Sequence, residues 1–426
     1  MNMKELYRAF LESTGVSTDS RAVKEGSLFF ALKGENFDGN DFALKAIECG
    51  ARYAVVDRVE LAGEEGIIVV EDTLTALQSL ARYHRSQFNI PVIGLTGTNG
   101  KTTTKELISS VLSKKYSTLS TTGNLNNHIG VPLTLLRLEK GHEIAVVEMG
   151  ASNPGEIESS TKIALPTFGL ITNVGKAHLL GFGSFDGVKK TKGELYDYLQ
   201  RTADHAFVNV DNTILVDMAT QRPDLKIIPY GVEFSNSKVL QSDENNPYLR
   251  VELSNGKVIN SNLIGAYNAD NIMAALKVGE YFGVDQDEAI QAIEEYIPTN
   301  NRSQLKKIGD TTYIIDAYNA NPTSMRASIT NFANSSFKNK VVILGDMLEL
   351  GEFSVDEHKK IVELVHTSNF SSEYYVGKEF EKAGATPVFD SSEKLAEHLL
   401  SVDLSEKSIL VKGSRGIRLE KVLPQG

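Results

Sequence analysis

A single cysteine, Cys49, rules out an internal disulfide and a cysteine-based zinc site. Standing alone, it is expected to be a small buried apolar residue. Long apolar runs are missing too. None approaches the roughly 20 residues of a membrane span, and the opening residues MNMKELYRAF lack the apolar core of a signal peptide. A reducing cytoplasm is the expected compartment. Positive charge is in deficit, with 44 Lys and Arg against 55 Asp and Glu and a formal net charge of −11. That argues against nucleic acid or an anionic membrane surface as the main partner. An anionic substrate can still enter a locally basic cleft. There is no internal repeat and no low-complexity tract. With 426 residues, 41% hydrophobic and 23% charged, the chain has the size and composition for about two to four globular domains.

What is present begins with Thr96-Gly97-Thr98-Asn99-Gly100-Lys101-Thr102-Thr103. An apolar run, 90–95, precedes it and a helix-like stretch, 104–112, follows. A strand, a glycine-rich turn and a helix form a cradle for phosphates: the glycines let backbone N–H groups close on the anion, and the helix N-terminus adds a positive dipole. Lys101 is placed to bridge β- and γ-phosphates, and the Thr102 hydroxyl to hold Mg²⁺. The spacing departs from the standard Walker pattern, which wants Gly where this chain has Leu95; Gly94 and Gly97 flank that place. The expected ligand is a nucleotide, ATP first.

The chain divides into three segments, 1–87, 88–298 and 299–426. The first mixes short β-like runs at 27–32, 53–57 and 66–70 with helical stretches at 41–49 and 73–86. In the second, strand-like runs recur at 92–95, 144–148, 167–172 and 205–209 with helical patterns between, which implies a parallel sheet covered on both faces. A polar, Asn-rich patch, 233–247, reads as an excursion to a surface hairpin or loop. Helices at 268–282 and 286–296 lead to Pro298-Thr299-Asn300-Asn301, a candidate hinge. The third segment alternates again, with strands expected at 312–316, 341–345, 373–376, 386–389 and 408–412. The fold class is therefore α/β, with a second, smaller doubly wound sheet at the C-terminal end.

Several polar residues stand at the carboxyl ends of these strands, the edge at which open α/β sheets bind ligands. Glu148 and His178 are such positions; each is a ligand candidate, or respectively a solvated strand end and a structural histidine. Glu148 with Thr102 offers the hard oxygens Mg²⁺ wants. Lys192, in Lys189-Lys190-Thr191-Lys192-Gly193-Glu194, reads on its own as an exposed charge run. Asn268 has an amide able to read an adenine edge, or simply to cap a helix. Arg302, past the hinge, either reaches a γ-phosphate on domain closure or makes a surface salt bridge. Asp316 opens Asp316-Ala317-Tyr318-Asn319-Ala320-Asn321-Pro322, a dense polar loop without core periodicity. Gly345-Asp346-Met347-Leu348-Glu349-Leu350-Gly351 and Lys412-Gly413-Ser414-Arg415-Gly416 repeat that placement, and Arg415 is suited to clamp a carboxylate bidentately.

Taken together, these residues resemble the Mur ligase family over essentially the whole chain. The matching features are Thr18-Asp19-Ser20-Arg21, residues 28–34 with Phe37-Asp38-Gly39, and the phosphate loop. With them go Gly123-Asn124-Leu125-Asn126-Asn127 with Ile129-Gly130-Val131-Pro132, Glu148-Met149-Gly150, Asn173-Val174-Gly175 with Ala177-His178, Lys192-Gly193-Glu194 and Tyr267-Asn268-Ala269 with Asn271. The phosphate loop marks the superfamily only. The DAYNANP, GDMLELG and GSRG motifs are more specific, and point to the branch that adds D-alanyl-D-alanine to UDP-N-acetylmuramoyl-tripeptide. The Asp-Asn-Pro-Arg signature of the preceding ligase is not found.

The resemblance implies a small N-terminal α/β domain for the UDP-linked substrate, a central parallel-sheet ATPase domain and a Rossmann-like C-terminal domain. It implies ATP-dependent amide formation through an acyl phosphate, the last cytoplasmic step of UDP-MurNAc-pentapeptide synthesis, by a monomer. It assigns catalysis to Lys101, Lys192, His178 and Arg302. ATP falls to Gly97, Thr98, Asn99, Gly100, Lys101, Thr102, Thr103, Asn268, Arg302 and Asp316, and substrate to Ser20, Arg21, Asn124, Asn127, Asn319, Asn321 and Arg415. Mg²⁺ falls to Thr102, Glu148, His178 and a Lys192 carbamylated by CO₂, which needs a desolvated, neutral amine. Two positions depart from the family pattern: Asn301 replaces a usual Gly, and Asn40 a frequent His. A folylpolyglutamate-synthase-like ligase and a non-catalytic nucleotide switch are the alternatives. The first lacks these C-terminal and uridine-side motifs. A GTP switch would want an Asn-Lys-x-Asp-type motif, which is not found.

Overall fold

The computed structural model describes residues 2–242, 246–299 and 302–424. Asn300 and Asn301, half of the expected hinge and one of the two family departures, lie outside the described residues.

The first sheet is small and all parallel, in the order Val16–Ser17, Leu28–Phe30, Tyr53–Val56, Ile67–Val69. Both its faces are buried, and the period-two alternation of side chains sorts them. Phe29, Ala31, Ala54 and Val56 pack with Ala43 and Ala46 of one helix. Leu28, Phe30 and Val55 join the cluster containing Leu6 and Phe10 of the helix Met3–Leu11 and Leu77 and Leu80 of the helix Thr73–Arg85. Cys49 corrects its expectation. It follows the helix Ala43–Glu48 directly and is exposed.

The second sheet has six parallel strands, in the order Lys226–Tyr230, His205–Asn209, Phe168–Ile171, Val92–Thr96, Ile144–Glu148, Thr118–Ser120. Val92–Thr96 is the first of these in sequence and has neighbours on both sides, so the sheet's direction of winding reverses there. That is where an open α/β sheet leaves a crevice at its carboxyl edge. Ile93 and Leu95 pack beneath Leu107, Ile108 and Val111 of the helix Lys101–Leu112 and Ile272 and Val278 of Ala269–Tyr281. On the other face Gly169 leaves room for the helix Phe185–Thr202: a Cβ there would lie 2.4 Å from Leu199 Cδ1.

The polar excursion becomes part of a three-stranded antiparallel sheet, Lys238–Leu240, Arg250–Glu252 and Val258–Asn260. Asp243, Glu244 and Asn245 lie outside the described residues. The third large sheet runs Gln304–Ile308, Thr311–Asp316, Ser408–Lys412, Lys340–Gly345, Ser372–Val376, Val388–Phe389. Its first pair is antiparallel and the others are parallel. Among the described residues, no helix is long and apolar enough to cross a membrane.

The helix Thr73–Arg85 faces two ways. Its last turn buries His84 and Arg85. His84 Nε2 lies 2.9 Å from Leu138 O. Arg85 donates to Phe88 O (2.6 Å), Ala164 O (3.2 Å), Ile90 O (3.2 Å) and Leu165 O (3.3 Å). One guanidinium thus ties the first sheet's helix to the second sheet's surroundings, and satisfies carbonyls at the end of the helix Glu156–Ala164.

Candidate active site

The strand Val92–Thr96 delivers the chain into the phosphate loop, and backbone conformation explains its glycines. Gly97 has φ +143° and a Cβ there would fall 2.0 Å from Thr172 Oγ1; Gly100 has φ +77° and starts the helix Lys101–Leu112. That helix begins three residues earlier than its apolar pattern indicates. Its first backbone bond runs from Thr104 N to Gly100 O, 2.8 Å. The N–H groups of Lys101, Thr102 and Thr103 therefore have no intrahelical acceptor and are available to an anion. The loop is braced from behind: Thr98 N donates to Asn173 O (2.9 Å), Asn99 N to Asn173 Oδ1 (3.0 Å) and Thr172 Oγ1 to Asn99 O (2.7 Å). Lys101 Nζ donates to Gly97 O (2.9 Å) and Thr98 O (3.0 Å). Burial pushes its ammonium below the ordinary lysine range; Glu148 opposes that shift and Arg302 adds to it.

Glu148 ends the strand Ile144–Glu148 and is fully enclosed. Its Oε1 accepts from Asn126 Nδ2 (2.7 Å) and Thr102 Oγ1 (3.2 Å). Its Oε2 is buried without a partner. An orphaned carboxylate oxygen beside a threonine hydroxyl, at the mouth of a phosphate loop, fits a hard divalent cation. Among the described residues no three His, Cys, Asp or Glu side chains cluster as an all-protein metal cage. Most ligands of an Mg²⁺ here would thus come from phosphate and water, the ordinary arrangement for that ion.

A cleft of about 1180 Å³ opens over this loop. It gathers Thr98, Asn99, Gly100, Lys101, Thr102, Thr103, Asn124, Asn127, Glu148, His178, Asn268, Arg302, Asp316 and Asn319 from the sequence-derived set. Six candidates do not line it: Gly97, Lys192, Asn321, Arg415, Ser20 and Arg21. Ser20 and Arg21 sit in a short turn of the first domain, where Arg21 pairs with Asp19 at 2.8 Å and remains 88% exposed.

Lys192 is 2% exposed on the helix Phe185–Thr202, which overturns its reading as part of an exposed charge run. Its Nζ is 3.4 Å from Ala151 O and 5.5 Å from the Phe182 ring centroid. Burial, aided by the Lys101 charge, lowers its pKa to about 7. His178 is held in a left-handed conformation, φ 49°, with Nδ1 against the Glu349 carboxylate; Nε2 is its remaining ring nitrogen. Asn268 stands at the N-cap position of the helix Ala269–Tyr281 but makes no side-chain capping bond there. Its amide donates to Ile264 O (2.8 Å) and accepts from Asn271 Nδ2 (2.8 Å). Arg302 makes no surface salt bridge among the described residues. Its guanidinium lies 3.6 Å above the Tyr318 ring centroid. Asp316 Oδ2 accepts from Lys412 Nζ (2.6 Å) and Ser328 Oγ (3.0 Å). Asn127 Oδ1 accepts from Gly130 N (2.8 Å) and so shapes its own turn.

The C-terminal domain is docked on this loop. Asn321 caps the helix Pro322–Asn334 and donates to Asn99 Oδ1 at 2.7 Å. Lys176 N donates to Thr323 Oγ1 (3.0 Å) and Lys176 Nζ pairs with Glu357 (2.7 Å). Leu180 N donates to Glu349 O, 3.1 Å. Asn126, Lys176 and Tyr318 carry weight that sequence reading did not give them. Each lies inside a quoted motif or beside one, and that proximity was the available signal.

Comparison with known proteins agrees with this geometry. The Mur ligase family catalytic domain matches residues 12–85, the Mur ligase middle domain 95–279 and the Mur ligase glutamate ligase domain 301–415. A UDP-N-acetylmuramoyl-tripeptide–D-alanyl-D-alanine ligase of Bacillus subtilis (strain 168) is 35% identical over 428 residues, covering 96% of this chain and 92% of its own. The chain belongs to the Mur ligase family. Two solved structures of the family are similar throughout. MurF from Acinetobacter baumannii superposes with a TM-score of 0.88 at 31% identity, over 99% of this chain and 97% of that one. MurF ligase from Thermotoga maritima in complex with ADP gives 0.85 at 30% identity, over 97% and 96%. The α/β fold in three Mur ligase domains is thereby established for this chain.

Proposed function

We infer that this chain is an ATP-dependent ligase joining D-alanyl-D-alanine to UDP-N-acetylmuramoyl-tripeptide in peptidoglycan precursor synthesis. The observation that carries the reading is the convergence, in one cleft, of a phosphate loop with an orphaned carboxylate oxygen and of C-terminal-domain cations. A nucleotide alone needs no second domain docked on its loop; an acid activated by ATP and then captured by an amine does.

In this reading the terminal carboxylate of the tripeptide attacks the γ-phosphorus of ATP in line. ADP leaves and an acyl phosphate forms. The neutral amine of D-alanyl-D-alanine adds to the acyl carbon, the tetrahedral adduct expels phosphate, and the amine's proton passes to solvent or a nearby base. The chain's task is positioning and charge neutralisation. The N–H groups of residues 101–103 and the Lys101 ammonium hold the transferred phosphoryl group, and Arg302 reaches it from the C-terminal domain. Thr102 and Glu148 would hold Mg²⁺, which supplies further neutralisation of phosphate charge. Asn268 and Asp316 are assigned to the nucleotide. Asn124, Asn127, Asn319, Asn321 and Arg415 are assigned to the substrates, and Ser20 and Arg21 to the uridine end. Asn321 contributes by docking its helix on the loop.

Lys192 is proposed as a carbamate. At a pKa of about 7 a large share of the amine is neutral near neutral pH. Its lone pair adds to CO₂, one proton is lost to water, and the buried amine becomes an anion assigned, with Glu148 and His178, to the metal. The domain boundaries we adopt are 1–87, 88–298 and 299–426. One chain supplies the whole cleft, which supports action as a monomer. Use of ATP and of a UDP-linked substrate supports a cytoplasmic location.

Phosphate release tests the assignment. Release should require ATP, Mg²⁺, UDP-N-acetylmuramoyl-tripeptide and D-alanyl-D-alanine together. Release restored by glutamate in place of the dipeptide would move the chain to another branch of the family.

A further inference from the structure

Two cations in the docked C-terminal domain are held in opposite ways. Lys412 Nζ lies 2.6 Å from Asp316 Oδ2 and is 2% exposed, so its charge is cancelled where it stands. Arg302 has no carboxylate partner among the described residues and stacks on Tyr318 at 3.6 Å. Arg415 approaches the same ring, 5.4 Å from its centroid, and it too has no carboxylate partner among the described residues. Arg302 is also close enough to Lys101 to disfavour its charged form. Arg302 and Arg415, at one ring without a carboxylate partner among the described residues, repel each other unless an anion joins them.

A carboxylate would orient Arg302 but would also neutralise it and compete with a phosphate for its N–H groups. An aromatic face attracts the guanidinium through its quadrupole and leaves all five donors in the plane free. Tyr318 makes no hydrogen bond through its hydroxyl among the described residues, and it lines the cleft with Asp316 and Asn319. We propose that Tyr318 is the positioning residue for Arg302: its ring orients the guanidinium toward the transferred phosphoryl group while leaving its charge uncompensated. This rests on the ligase reading above. The ring is the working part and the hydroxyl is dispensable.

The test is steady-state kinetics on the full chain with ATP, Mg²⁺ and both substrates. Tyr318→Leu should lower kcat about tenfold, while Tyr318→Phe should stay within about threefold of the parent. A double-mutant cycle gives the second readout. On an Arg302→Ala background, Tyr318→Leu should cost little further, because the group it positions is gone. Equal losses for Phe and Leu would overturn the proposal, and so would a Leu loss that persists in full on the Arg302→Ala background. Tyr318→Gln carries the same comparison if the Leu variant does not fold. Failure of the ligase reading is separable, because the parent chain itself would then release no phosphate on addition of acid and amine.

Discussion

Asn321 and Asn99 exchange amide hydrogen bonds across the domain boundary, Asn321 Nδ2 to Asn99 Oδ1 at 2.7 Å and Asn99 Nδ2 to Asn321 Oδ1 at 3.4 Å. The same Asn321 oxygen accepts from Ser324 N at 2.9 Å and caps its helix. The phosphate loop and the helix N-terminus therefore share one side chain. Asn321→Ala should cost about 1 kcal/mol for the cap alone, visible as a lower urea midpoint. It should also raise KM for ATP, because the docked arrangement loses its direct link to the loop. An unchanged KM would show that docking and loop are independent.

Arg85 makes a purely structural prediction. Arg85→Met keeps the apolar stem and removes donors from four carbonyls, Ala164 O in a buried contact and the other three in part-buried ones. Unsatisfied buried carbonyls should lower stability by about 3 kcal/mol, read by urea denaturation at neutral pH.

Lys192 opposes stability to function. Its folded pKa of about 7 lies below its unfolded value. Between the two, the unfolded chain binds a proton that the folded chain does not, so this group's contribution to stability rises with pH across that window and is least favourable below about pH 7. In CO₂-free buffer at pH 7, Lys192→Met should be more stable than the parent by roughly 1–4 kcal/mol. That advantage should shrink as pH approaches the ordinary lysine pKa. Turnover should be abolished. A variant both destabilised and active would remove Lys192 from the account.

The same pKa sets a bicarbonate dependence. As pH falls below about 7, Lys192 is increasingly protonated and its lone pair is lost to CO₂. At limiting bicarbonate, activity should fall on that side and recover when bicarbonate is raised at constant pH. Carbon-13 NMR with labelled bicarbonate should show one carbamate signal, absent in Lys192→Met.

Much of this was legible in the chain. The phosphate loop and the strand ends at Glu148 and Asp316 follow from periodicity and from glycines whose backbone angles demand them. The strand Gln304–Ile308 was not foreseen. Its Gln-Leu-Lys-Lys-Ile pattern is that of a half-exposed antiparallel edge and carries little apolar signal. Lys192 was opaque for a different reason. Lys189, Lys190 and Lys192 look alike in sequence, and only the helix rotation buries the third. Cys49 shows the converse, a residue type usually buried that stands exposed past a helix end. Asn126 could not be recognised as the partner of Glu148, because their link joins a loop and a strand 22 residues apart. Tyr318 belonged to a visible motif, but its stacking on Arg302 depends on how two segments of the C-terminal domain meet, which no local pattern shows.

The most direct test of the acyl-phosphate account is oxygen tracing. UDP-N-acetylmuramoyl-tripeptide labelled with ¹⁸O in both oxygens of its terminal carboxylate is turned over with ATP and D-alanyl-D-alanine, and the released phosphate is analysed by mass spectrometry. Attack of that carboxylate on the γ-phosphate predicts one ¹⁸O in each phosphate and one in the new amide carbonyl. Phosphate free of label, with both heavy oxygens still in unreacted acid, would mean that water attacks the nucleotide and would contradict the ligase mechanism.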